Sequence, residues 1–136
     1  MAIRIITIPH NEQRYDTIGD WQRQGDDALI TVSDMNSALY EFLVGIHELI
    51  EMYLCEQSGI SDEEVTTFDE MILETMPDYE GEPGSIVGAP YYRQHLIATI
   101  IERLLADELG IDWNDYDEAV GNVSMFSELN KENKNG

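Results

Sequence analysis

The sequence predicts an α+β domain: a three-stranded antiparallel sheet at the N-terminus packed on a long helix, followed by three further helices. Three observations carry this expectation. β-Branched runs crowd the first 32 residues, capped helical segments follow from there on, and 136 residues, 43% apolar, suit one domain with a modest core.

Ile3, Ile5, Ile6 and Ile8 run into Pro9, which marks a first strand. The stretch 14–21 is the second candidate, Gly25-Asp26-Asp27 supplies a turn, and Ala28-Leu29-Ile30-Thr31-Val32 is the third strand. Such a sheet needs a helix against one face to be stable. Ser33, Asp34 and Asn36 offer N-caps for a long helix that reaches about Ser58 and closes at Gly59. Ser61, with Glu64 three residues on, forms a capping box for a second helix, which runs to about Thr75 and stops before Pro77. Residues 77–90 hold three prolines and three glycines, a loop long enough to wall a site. Pro90 opens a third helix, 91–109, ended by Gly110, and a cap at Asp112 or Asn114 opens a fourth over roughly 114–120. The domain then spans 1–122, with 123–136 as a polar, flexible tail.

Charge narrows the function classes. Twenty-eight acids against seven bases give −21, which excludes a basic grip on nucleic acid and disfavours an anionic membrane. The acids are scattered rather than blocked, as expected of a solubilising coat, though an acidic surface also suits a basic protein partner. The single cysteine, Cys55, excludes an internal disulfide and fits a reducing compartment. With no signal peptide and no apolar run of spanning length at hand, a cytoplasmic location is the expectation.

One constellation carries chemistry. Within the apolar stretch from Phe42 to Cys55, only His47, Glu48 and Glu51 ionise. At about 100° per residue they share one helical wedge, Glu51 about 40° and Glu48 about 100° from His47. His47 and Glu51, spaced i, i+4, can reach a single ion, and Glu48 beside them is the candidate general base. On the third helix His95 and Glu102 are two turns apart and fall within about 20° of each other. Small residues (Ala98, Thr99 and Ala106) surround them and let another helix approach. Two helices together thus offer His47, Glu51 and His95 as ligands to a divalent ion, with Glu102 as fourth ligand or orienter. Mixed imidazole and carboxylate donors suit zinc, manganese or iron better than calcium. His10, after the first strand, reads as a surface residue; Cys55, Trp21 and Trp113 read as packing.

His47-Glu48-Leu49-Ile50-Glu51 resembles the zincin metalloprotease signature HExxH, with Glu in place of the second His. The strands-then-helix order is similar to that of zincins as well. A closer resemblance covers about three quarters of the chain. Tyr15 to Trp21, Ile30 to Met35, Glu41 to Cys55, Gly59 to Asp69, Glu82 to Gly84 and Ala89 to Trp113 are similar to blocks of a family of short, uncharacterised proteins of bacteria and their phages. That resemblance implies positions rather than an activity: His47, Glu48, Glu51, Asp69, Glu82, His95 and Glu102 all fall in its blocks. The leading expectation is a metal-dependent hydrolase acting on a small substrate or peptide. The alternative is a non-catalytic acidic inhibitor, of the kind phages make, that occupies a basic groove on a host protein.

Overall fold

The computed structural model describes residues 1–123 and has the expected α+β architecture. Strands β1 (Ile3–Ile8), β2 (Gly19–Gln24) and β3 (Asp27–Ser33) form the sheet. Helices α1 (Ala38–Gln57), α2 (Asp62–Thr75) and α3 (Tyr92–Glu108) follow, and a fourth, α4, occupies 113–123.

The sheet corrects one expectation: it is mixed, in the order β1-β3-β2. β2 and β3 are antiparallel, joined by the two-residue turn Gly25-Asp26, but β1 runs parallel to β3 with Ile3 opposite Ala28 and Ile8 opposite Ser33. The reason lies in apolar content. β3 is almost wholly buried and takes the centre, where both faces and both edges are covered. β2, with Asp20, Gln22 and Arg23, is fit only for an edge. Strand β2 also begins at Gly19 rather than at residue 14, because residues 9–18 are spent on the crossover. Their polar side chains clamp the sheet: Arg14 donates to both Asp20 oxygens at 2.7 and 2.9 Å, and Gln13 bonds Thr31 and Ser33. His10 belongs to this clamp, its ring nitrogens 2.7 Å from Ser33 Oγ and 2.7 Å from Asp16 Oδ1, so it is largely buried rather than a surface residue.

Helix boundaries follow local chemistry. Ser37, not Ser33, Asp34 or Asn36, caps α1 by accepting from the Tyr40 N–H, because Ser33 is buried at the end of β3. The Ser61–Glu64 capping box opens α2 as expected. Tyr91 rather than Pro90 precedes α3, and Asp112 caps α4 by accepting from the Asp115 N–H. α4 runs through 123, past its expected end; of the expected tail, 124–136 lie outside the described residues. The core joins Trp21, Ile30 and Val32 of the sheet to Leu43, Met52 and Cys55 of α1. α1 packs on β2 and β3 with one side and on α3 with the adjacent side, so its polar wedge faces inward. Among the described residues no helix is long and apolar enough to cross a membrane.

Candidate metal centre

The structure brings His47 and Glu51 of α1 together with His95 of α3, all three buried. His47 Nε2 lies 3.1 Å from Glu51 Oε2 and 3.2 Å from His95 Nδ1, and His95 Nδ1 lies 3.0 Å from Glu51 Oε2. Donors of a tetrahedral zinc, each about 2.05 Å from the ion, stand about 3.3 Å apart. The three atoms therefore have the spacing of three corners of such a shell, and the cluster can hold a metal ion.

What surrounds the triangle strengthens that conclusion. His47 Nδ1 is 2.8 Å from Glu102 Oε1, and His95 Nε2 is 3.2 Å from Glu82 Oε2. A carboxylate only accepts, so with an ion bound each outer ring nitrogen would carry the proton and each inner nitrogen would present its lone pair to the ion. Both histidines thus have the carboxylate–imidazole arrangement that fixes the tautomer of a metal ligand and raises its basicity. Glu102 is fixed in turn by the Tyr116 hydroxyl, which donates to Oε2 at 2.5 Å, and Glu51 Oε1 accepts from Trp21 Nε1 at 3.2 Å. Glu102 hence stands behind His47, outside the triangle, in the orienting position.

Without an ion, the cluster shares protons. Burial opposes charge on His47, but its bonds to Glu102 and Glu51 outweigh burial and raise its pKa well above the ordinary value. His95 shifts the same way, burial again losing to the bond with Glu51. Burial would raise Glu51, yet the two imidazoles hold it at about 2. A metal entering here displaces protons, which couples affinity to pH.

Glu48 is the outlier. It is 9% exposed and accepts no hydrogen bond among the described residues. Burial, then the neighbouring Glu51 charge, pushes its carboxyl well above the usual range. Room for it comes from β2: a Cβ at Gly19 would stand 2.8 Å from Glu48 Cγ and 2.7 Å from Val44 Cγ1. On the far side, residues 77–90 seat their backbone on His95, since a Cβ at Gly84 would lie 2.6 Å from its Cγ.

Asp69 does not join the cluster. Its two oxygens accept from the hydroxyls of Tyr15, at 2.6 Å, and Tyr91, and Tyr91 packs edge-on against the His95 ring, 6.2 Å between centroids. Cys55 is buried with its thiol pKa raised, chiefly by burial, which suits a packing role. Sequence reasoning missed Trp21 and Tyr116 as supports of Glu51 and Glu102; nothing in their spacing links them to the ligands. Gly84 had a signal, in a Pro-Gly pair within a site-length loop. Comparison of the chain with family models, curated proteins and solved structures finds no match.

Proposed function

We propose that this chain is a metal-dependent hydrolase with zinc bound by His47, Glu51 and His95. The observation that carries the proposal is the convergence of three buried ligand atoms from two helices, with a carboxylate at the outer ring nitrogen of each histidine. Zinc suits two imidazoles and one carboxylate with an open fourth position, while manganese and iron(II) accept the same donors. A bound ion there supplies a Lewis acid and acidifies water.

The chain's own residues divide the remaining work. Glu102 and Glu82 orient the imidazoles, and Trp21 fixes the Glu51 carboxylate. Glu48 follows one ligand in sequence and precedes the other by three residues, and its carboxyl accepts no hydrogen bond among the described residues. It takes the proton of the attacking water and returns it to the leaving group. Residues 77–90, carrying Glu82, wall the approach to His95. The strands-before-helix order with HExxE on α1 supports a zincin-like arrangement, and Glu51 makes its ligand set one charge more negative than HExxH gives.

The test is metal analysis of tag-free protein, with His47→Ala and His95→Ala checked for folding by circular dichroism. Near-stoichiometric metal, lost in both folded variants, is expected. Glu48→Gln should keep the metal and lose turnover across peptide, amide and phosphate-ester substrates. No metal in the wild type, together with no thermal shift on adding zinc, manganese or iron, would sink the proposal, and a search for a basic partner of the acidic surface would then come first.

A further inference from the structure

Among the described residues, β1 is an edge strand with an uncovered side. Helix α1 lies over β2 and β3, and its Gly45 comes close to β1, where a Cβ would stand 3.1 Å from Ile5 Cγ2. Ile3 and Ile5 share that helix-facing side of the strand and are 38% and 46% exposed. Beside them the outer flank of α1 presents Phe42 and Tyr53, 45% and 42% exposed. Strand and flank form a stepped apolar surface.

The backbone of β1 is equally open. Ala28 N–H bonds Ala2 O and Asp34 N–H bonds Ile8 O, so the even-numbered residues face β3. By the alternation of a parallel ladder, Ile3, Ile5 and Thr7 turn both N–H and C=O outward. Native edges are blunted by proline, bulges or charge. β1 has no proline and no acid, and Arg4 is its single charged residue.

Charge decides the occupant. In a chain of −21, the first ten residues hold no acid, and neither do Leu39, Phe42, Ile46, Leu49 and Tyr53 along the flank. Asp27 bonds the Ala2 N–H at one end of the strand, but β1 itself offers a basic partner no acid. A second copy, by contrast, can approach only where the mutual repulsion of two acidic chains is weakest.

We infer that β1 is a homodimer interface, two copies joining antiparallel about a two-fold axis at Ile5 into one six-stranded sheet. The register is self-complementary. Ile5 faces its symmetry mate and Ile3 faces the partner's Thr7, so every outward N–H and C=O of the three residues finds a partner. Ile3 and Ile5 of both copies then cluster on the helix side, and Arg4 lies opposite the partner's Ile6 rather than its own mate. This inference does not depend on the metal centre.

The experiment is sedimentation velocity on the full chain across micromolar concentrations at low and high salt, with hydrogen exchange read at individual amides. The wild type should sediment at twice the chain mass, more tightly at high salt because repulsion is screened. Amides of Ile3, Ile5 and Thr7 should be protected. Thr7→Pro removes an outward N–H while sparing the β3 ladder, deleting two bonds per dimer and raising the dissociation constant about 30-fold. Ile3→Glu, at an exposed position, should give a folded monomer. A wild-type monomer at high protein and salt, fast exchange at those three amides, or a dimer indifferent to both variants would each overturn the inference.

Discussion

Glu102→Gln isolates the support behind His47. Glutamine keeps the shape and can still accept from His47 Nδ1 through its carbonyl, so the buried bond at 2.8 Å need not be lost. What disappears is one negative charge. Across the imidazole, that charge sits about 6.5 Å from an ion held by Nε2, and Coulomb attraction to a divalent cation at an effective dielectric near 20 is about 5 kcal/mol as a ceiling. The Tyr116 bond to Oε2 spreads the charge and lowers the realised value. Replacing such supporting groups typically costs 10–100-fold in affinity, about 1.4–2.7 kcal/mol. Competition against a chromophoric chelator should therefore show zinc binding weakened about 10–100-fold in folded Glu102→Gln. Unchanged affinity in a folded variant would refute the carboxylate–imidazole–metal arrangement, because no other interaction of Glu102 reaches the ligands.

Two further outcomes test the frame around the site. Asp69, pushed up to about 6 by burial against the opposing bonds from Tyr15 and Tyr91, holds its proton more tightly folded than unfolded. Its contribution to stability is therefore fully present below the unfolded value near 3.8 and is lost as pH rises through 6. Between pH 7.5 and 5 it should add about 1.4 kcal/mol to the wild type and nothing to Asp69→Asn, so equal pH slopes in urea unfolding would contradict the assignment. Gly19→Ala drives a methyl into Val44 and Glu48 at under 3 Å. It should cost about 1–3 kcal/mol by denaturant titration, and a variant as stable as wild type would show that α1 can recede from β2.

Much of the molecule was legible because short-range rules govern it. The Ser61–Glu64 box, the β3 run and the pairing of His47 with Glu51 are all set within a turn or two of chain. The meeting of α1 with α3 was also readable, since small residues around His95 and Glu102 mark a face built for close approach. Strand direction was not readable. Nothing local in Ile3–Ile8 distinguishes a parallel from an antiparallel partner, and the choice followed from β3 claiming the centre. The stretch 14–21 alternates well enough for a strand, but the buried Asp20 needs Arg14, and that pairing of positions six apart cannot form along an extended strand. Glu102 was legible as near the site, while its place behind His47 depended on Tyr116, which arrives from a separate helix.

The central position of β3 has a consequence for how the chain is made. The β2–β3 hairpin closes over two residues and can form as soon as both strands exist, whereas β1 pairs with residues 25 positions away. During synthesis the strand that emerges first must therefore wait for its partner. Four isoleucines in six residues remain in water over that interval, a nascent segment prone to sticking to others of its kind. The acids that follow from Glu12 onward leave the ribosome next and keep neighbouring nascent chains apart until β3 captures β1.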